Sequence, residues 1–499
     1  MEERPFHVPM VLRGQVYDEP EVEYGGRRGG VTFSTTDARK HITELTLGAP
    51  SRMADLYDLT VDDIVDYLVR LGQRLPMSEN EYMEEAFRLS NHTSGLSEPI
   101  LRHAYEFMPV SLFSAEEVRN MIRRSVGIEY LEGWVPQASG RFPGLEGKMR
   151  AFGARTVHVI AGNTPIVAYM TVIRNAFTRS DALIKAPSND PLTAVGIART
   201  MVDLEPDHPL TKHLAVAYWR GGDDEVESEI YDPRRIEKIV AWGGFDSVQH
   251  VTKYLQPGID LITADPKLSS TIIGKEAFAD EDTLTRVARR VALDMGAANQ
   301  EGCVSARVIY VESGTDEAGI EKLNHLGTLT FDALQHLPEH ISAPHKAFDP
   351  ELKQEIDAAR FMEEDYKIFG GHRNEGAVIV SQEDEPVDFS RILGCRTSNL
   401  VPIDDVEDAV RSVNAYTQTV GVYPESLKHR VADRLAFQGA QRIVSLGGAA
   451  TMQHNMEVQD AIEPVRRMVK WVVTESAPEA VLDSIGTAND LRAVFPPPE

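Results

Sequence analysis

Residues 156–194 read TVHVIAGNTPIVAYMTVIRNAFTRSDALIKAPSNDPLTA, and the fold turns on how this stretch is parsed. TVHVI is a short β-branched run closing on Gly162-Asn163, and a run of helical period, TPIVAYMTVIRNAFT, follows it. A second short apolar run, DALIKAPS, precedes a second helical run that opens at Asp190-Pro191. Short strands alternating with helices argue for βαβ units and a mostly parallel sheet with helices on its faces. Thr164-Pro165 and Asp190-Pro191 each set a capping side chain before a proline at the first helical position. KIVAWGG (238–244) and DSVQHVTKYL (246–255) repeat the pattern. Ligands of such sheets gather at strand carboxyl ends, where helix N-termini offer unpaired N–H groups. Gly162-Asn163, Lys185 to Asn189 and Gly243-Gly244 are therefore expected on one rim, as at a nucleotide site.

Outward from there the texture extends in both directions. A second α/β series starts at STIIG (270–274), continues through a helix over about 282–297 and the strand-like ARVIYVE (306–312), and recurs in GAVIVS, SNLVPIDD, VGVYPES and RIVSLGGAA. Proline and charge at Asp265 to Lys267 suggest a linker between the two series. Upstream, Leu56 to Leu75 and further segments to about Leu131 carry apolar residues at helical spacing. The first 50 residues are polar and punctuated by glycine and proline, and read as an extended or loosely packed lead-in without chemistry. The expected division is an N-terminal arm (1–50), a first α/β part (51–265, with strands about 140–156), a second α/β part (266–465) and a C-terminal segment (466–499).

Bulk composition narrows the function. The chain has 499 residues and a net charge of −26, with no lysine or arginine block to make a nucleic-acid footprint. Two cysteines rule out a disulfide framework and favour a reducing compartment. The start, MEERPFHVPM, lacks a basic-then-apolar leader, and no apolar run approaches the roughly 18 residues of a membrane span. The expectation is a cytoplasmic protein without a membrane span or a nucleic-acid partner.

One of the two cysteines stands in 299-NQEGCVSAR-307. Free cysteine usually packs as a small hydrophobe, and only an accessible, electropositive setting makes a thiol reactive. The residues alone leave Cys303 open between nucleophile and spacer. With TVHVIAGNTP, IKAPSNDPLTA, IVAWGG and NQEGCVSAR in this order, however, the chain resembles the aldehyde dehydrogenase superfamily. More closely it is similar to the acyl-CoA reductase branch that makes the fatty aldehyde of bacterial bioluminescence. The resemblance is densest from about His158 to Val311, including 205-EPDHPLTKH-213, and thins toward Val473.

The resemblance implies an α/β fold in three parts: a Rossmann-like cofactor domain, a catalytic domain carrying the thiol, and a small oligomerisation sheet. That sheet would use the segment just before Thr156 and 469-VKWVVTES-476, and a homo-oligomer is the default. Cys303 matches the family nucleophile, which takes an acyl group from a fatty acyl-CoA or acyl-protein as a thioester and yields aldehyde after hydride transfer. Asn163 matches the side-chain donor to the carbonyl oxygen, with the Cys303 backbone N–H as the second. Lys185 matches the lysine that meets the adenosine ribose. Ser188 stands where NAD-linked members carry a glutamate, so NADP(H) is the expected cofactor. Gly243 and Gly244 would let the backbone approach that cofactor, while Trp242 is equally a packing residue. The family's water-activating glutamate falls near Leu261 to Asp265, where LITAD places Thr263; its absence suits a reductase, with Asp265 or Glu301 as substitute bases. The NQEGC loop is one residue shorter than in ordinary aldehyde dehydrogenases.

The implied activity is NADPH-dependent, long-chain acyl-CoA reduction. The alternatives are oxidation of an aldehyde to acid or acyl-CoA, and an acyl-carrying subunit supplied by an acyl-protein synthetase partner. Other features carry less. Cys395 in ILGCRTSN is read as structural, and Pro338 breaks the helix that a metal pair at His336 and His340 would need. Arg174 and Arg179 are read as surface or interdomain ion-pair formers, and His208 and His213 have no assigned role.

Overall fold

A computed structural model describes residues 6–25, 31–137, 146–264, 267–450 and 458–487. In it the 156–194 stretch forms a βαβ unit. Arg155–Val159 and Asp181–Lys185 are parallel strands, with Thr156 opposite Ala182 and His158 opposite Ile184, and the helix Ile166–Phe177 crosses between them. Every residue of that helix from Val167 to Phe177 is buried. A helix apolar on all sides must be covered on all sides. The sheet lies under it, and the helices Val61–Gly72 and Met108–Leu112 lie over it. Neither Arg174 nor Arg179 lies on a surface, although Arg179 does form an ion pair, with Glu132 Oε1 at 3.3 Å. Arg174 is buried under Trp242, its guanidinium carbon 5.6 Å from the ring centre. Arg179 is buried too, and donates to the carbonyls of Leu56 (3.1 Å), Leu59 (2.7 Å) and Leu131 (2.8 Å). It closes the ends of the overlying helical layer rather than meeting solvent.

The sheet expected to face the cofactor, called the cofactor sheet below, runs Asp260–Ala264, Lys238–Trp242, Arg155–Val159, Asp181–Lys185 and Leu214–Ala217, all parallel. The first strand in sequence is central, the next two lie to one side and the last two to the other. Where strand order reverses, a crevice opens at the carboxyl ends, between the segments that follow Val159 and Trp242. A hairpin of Met10–Leu12 and Gln15–Tyr17 extends the sheet antiparallel to Leu214–Ala217. The opening segment is thus part of the sheet rather than a loose lead-in: Met10, Val11 and Leu12 are buried, and Arg13 pairs with Asp181 at 2.5 Å. Strands of three residues are too short to show a period in sequence.

A second seven-stranded sheet begins at Leu268–Ile273 and has the order Tyr366–Gly370, Ala377–Ser381, Thr397–Pro402, Ala306–Val311, Leu268–Ile273, Thr417–Tyr423, Arg442–Ser445. All its pairs are parallel except the first. Helices Glu281–Gly296 and Glu317–Gln335 cover one face, and Val406–Ser412 with Glu425–Gln438 the other. Glu146–Phe152 pairs antiparallel with Lys470–Ser476 and Val135–Gln137 in a separate three-stranded sheet, using the two segments expected to meet. Asp265, in the expected linker, lies outside the described residues. Among the described residues no helix is long and apolar enough to cross a membrane, and no cluster of His, Cys, Asp or Glu is grouped to hold a metal ion.

Candidate active site

Two sheet edges meet at the crevice. The cofactor sheet contributes its carboxyl edge. Gly162 packs so tightly on the turn after Lys185 that a Cβ there would fall 2.4 Å from Asn189 Oδ1 and 2.8 Å from Pro187 Cγ, which only glycine allows. Asn163 follows, and its Nδ2 donates to the carbonyl oxygen of Glu301 at 3.2 Å. The asparagine is therefore bonded to the loop that carries Cys303, not to its own turn. Lys185 ends its strand with Nζ 5.5 Å from the Trp219 ring centre and 6.0 Å from that of Tyr218. Ser188 lies in the turn before Asp190, whose buried carboxylate accepts from Thr193 N (3.2 Å) and Oγ1 (2.6 Å) and so caps the helix Thr193–Leu204.

Gly243 and Gly244 separate Lys238–Trp242 from the helix Phe245–Thr252. A Cβ on Gly244 would touch nothing within 4 Å, and one on Gly243 would meet only Ser247, at 3.1 Å or more. Neither glycine is demanded by the protein's own packing, so the backbone at this helix start borders open space. A lysine, a small uncharged Ser188 and bare backbone N–H groups along one rim fit a phosphate-bearing dinucleotide.

The second sheet contributes its amino edge. Ala298, Asn299 and Gln300 take left-handed backbone conformations in succession (φ 50, 52 and 66). Such residues persist only where their surroundings over-determine them. Ala298 N donates to Ile341 O (2.8 Å), and Asn299 Oδ1 accepts from Ala343 N (3.0 Å). The buried Gln300 amide donates to Ala306 O and Thr397 O, both at 2.9 Å, and accepts from Thr397 N at 2.7 Å. The loop is pinned on both sides of Cys303, whose carbonyl accepts from Ser269 Oγ at 2.6 Å.

Gln418, at the start of Thr417–Tyr423, donates its Nε2 to Cys303 Sγ at 3.1 Å and to Asp460 Oδ1 at 3.1 Å. Burial pushes the Cys303 thiol up and the Asp460 carboxylate adds to the push, while the Gln418 bond and the Arg307 guanidinium act against them. Glu301, a candidate substitute base, turns its carboxylate to His345 Nε2 at 3.3 Å. Thr263 lines a narrow, partly open cleft with His158, Thr171, Arg174, Trp242 and Gln459. His158 there is buried and held neutral, its pKa lowered to about 4 by burial. His213, unassigned from sequence, bridges Asp181 and Asp55 at 2.8 Å each. His208 stacks on Tyr67 with ring centres 4.1 Å apart.

Gln418, Asp460, Arg307 and Ser269 were not singled out in the sequence. Three of them do share a legible property: Ser269, Arg307 and Gln418 each lie in the first two residues of a strand of one parallel sheet.

The fold is that of the aldehyde dehydrogenases. Aldehyde dehydrogenase 21 from Physcomitrella patens superposes with a TM-score of 0.71 at 14% identity, covering 95% of this chain and 99% of that one. NADP-dependent glyceraldehyde-3-phosphate dehydrogenase from Bacillus halodurans gives 0.68 at 11%, with 95% and 99% covered. Within that fold the chain belongs to the LuxC acyl-CoA reductase family, whose model matches residues 56–471. It is 25% identical over 475 residues to the long-chain acyl-protein thioester reductase of Vibrio harveyi, covering 94% of this chain and 93% of the relative. It is 28% identical over 434 residues to that of Photorhabdus laumondii, covering 84% and 82%. The protein is thus an oxidoreductase of the acyl-reducing kind.

Proposed function

We propose that the protein reduces a long-chain fatty acyl thioester, carried on CoA or on a protein, to the fatty aldehyde with NADPH, through an acyl group held on Cys303. The observation that carries this reading is the Asn163–Glu301 bond, which brings the cofactor rim against the thiol loop. Sγ attacks the acyl carbon, and the negative charge that develops on the carbonyl oxygen is met by the Asn163 amide and the Cys303 N–H. Thr263 offers no carboxylate to activate water, so the acyl-cysteine is not hydrolysed from that side. Lys185 and the Gly243-Gly244 backbone would hold the phosphates of a dinucleotide, and Ser188 leaves room for a 2′-phosphate. A dinucleotide held there would supply the hydride that reduces the acyl carbon, after which the carbon–sulfur bond breaks to release the aldehyde and restore the Cys303 sulfur.

The names of the Vibrio and Photorhabdus relatives favour an acyl-protein donor, and with it an acyl-protein synthetase as partner. The edge strand Lys470–Ser476 exposes Val472 and Val473 and suits a homo-oligomer contact in a cytoplasmic enzyme. One observation favours a second reading, oxidation of an aldehyde to acid: the Asp460 carboxylate beside the thiol.

Incubation of the purified protein with NADPH and a long-chain acyl-CoA should give aldehyde, detected by mass spectrometry, together with NADPH oxidation. Free acid formed from aldehyde and NADP⁺, without the reverse reduction, would favour the second reading.

A further inference from the structure

The Cys303 thiol needs a proton acceptor. Burial and a neighbouring carboxylate both hold the resting group as a thiol, which is a far weaker nucleophile than the thiolate. The cations near it, Arg307 at the start of Ala306–Val311 and Arg442 at the start of Arg442–Ser445, do not reverse this. Among the carboxylates of the described residues, Glu301 is engaged with His345. Asp460 is the carboxylate that shares a hydrogen-bonding amide with the sulfur. One nitrogen, Gln418 Nε2, lies 3.1 Å from Sγ and 3.1 Å from Asp460 Oδ1, so sulfur and carboxylate flank a single amide and are within reach of one bridging water.

Asp460 is also held from behind. The Gln441 amide satisfies both its neighbours with its nitrogen 3.3 Å from Asp460 Oδ1 and its oxygen 3.1 Å from Lys267 Nζ. Asp460 and Ala461 both take left-handed backbone conformations (φ 52 and 60). Gln459 and Ile462 close this turn by exchanging backbone bonds at 2.9 and 3.0 Å. Two consecutive non-glycine residues in that region cost about 1–2 kcal/mol each. The turn that bears this cost presents a carboxylate to the thiol.

We propose that Asp460 is the general base of acyl transfer to Cys303, acting through one water, and that Gln418 positions the sulfur and the carboxylate for it. The proposal rests on the acyl-cysteine reading above. As Sγ bonds to the acyl carbon, the thiol proton passes through the water to Asp460. The acyl–sulfur bond of the donor then breaks with its electron pair on the departing sulfur, which takes the proton from Asp460. The products are the Cys303 thioester and the free donor thiol, with Asp460 restored as carboxylate and no oxidant or reductant consumed.

The test is single-turnover acylation of Cys303 by a long-chain acyl-CoA without cofactor, followed by intact-protein mass spectrometry across a pH series. Alkylation of Cys303 by iodoacetamide is measured in parallel. Asp460→Asn is expected to slow acylation about 10²-fold or more and flatten its rise with pH. The same variant should alkylate faster, because a negative charge beside the sulfur has gone. Asp460→Glu should recover much of the acylation rate. A merely structural role would slow both reactions together, and that result, or acylation at the wild-type rate, overturns the proposal. A second measurement needs no variant: acylation of the wild type should be slower in deuterated water, and an inverse isotope effect overturns the proposal. A wild type that never acylates overturns the acyl-cysteine reading and this step with it. A wild type that acylates indifferently to Asp460 overturns this step alone.

Discussion

The two rims that meet at the crevice are built in opposite ways. On the cofactor sheet each candidate residue follows the strand that aims it: Asn163 comes just after Val159, Ser188 after Lys185, and Gly243-Gly244 after Trp242. Contiguous backbone places them, and much of what they offer a ligand is N–H groups. On the thiol sheet the groups around Sγ converge from remote segments, Gln418 lying 115 residues from the cysteine it touches. Side-chain hydrogen bonds place them, and each depends on one or two atoms. The first kind of rim tolerates substitution wherever the backbone persists, whereas the second fails atom by atom. Cys395 sharpens the point. Its thiol is also pushed up by burial and also feels Arg307, yet it packs with Leu393, Ile379 and Val387 in an apolar cluster. Burial and neighbouring carboxylates are common to the two cysteines, Cys395 feeling Glu301 and Asp349, and the Gln418 side-chain amide distinguishes Cys303.

The largest effect expected is therefore at the thiol. Cys303→Ala should lower aldehyde formation by about 10³-fold or more and abolish acyl labelling, while Cys395→Ala changes the rate by no more than a few-fold. Equal losses at both cysteines would break the distinction between them. Asn163→Ala comes next. If its amide meets the carbonyl oxygen, kcat falls about 10²–10³-fold with KM little changed. A loss confined to KM would return Asn163 to a loop-pinning role.

This contrast also decides what the sequence could reveal. The backbone course of the first rim was legible because strand, turn and helix follow one another in TVHVIAGNTP and DALIKAPSNDP, so local period and capping residues locate it. Cys303 was legible only through resemblance, since its neighbours are set by long-range pairing that no local period records. Gln418 and Asp460 left no signal for the same reason, and the opening hairpin left none because its strands are three residues long. Arg179 misled, because a charged residue closing an apolar helix reads as a surface position until the overlying helices are in place.

The carboxylates of the two rims should also behave differently with pH. Asp460 is expected to act in chemistry, whereas Asp190 on the cofactor rim only caps a helix, and its burial raises its pKa to about 6 against the Thr193 bonds that lower it. A folded-state value above the unfolded one means stability is fully present below about pH 4 and lost as pH rises through about 6. Asp190→Asn does not ionise. Its unfolding free energy relative to wild type should therefore shift in its favour by up to about 3 kcal/mol between pH 4 and 7, read from urea midpoints at each pH. A difference independent of pH would mean that the carboxylate is not paying for burial.

The smallest effect tests the backbone-built rim at its one side-chain decision. Ser188 contributes no charge, and Lys185 at the end of the same strand is a cation flanked by Tyr218 and Trp219. On the proposed reading, that pairing would favour a 2′-phosphate over a ribose hydroxyl. Ser188→Glu would place a carboxylate in the turn, repelling the phosphate and accepting from the hydroxyl. At a half-buried turn such a charge is worth about 1–2 kcal/mol, so the ratio of kcat/KM for NADPH over NADH should fall about tenfold, with acylation of Cys303 untouched. If the remaining contacts are made by backbone N–H groups, as proposed, the variant should still bind a dinucleotide. A collapse of activity with both cofactors would show that this rim, like the other, depends on individual side-chain atoms.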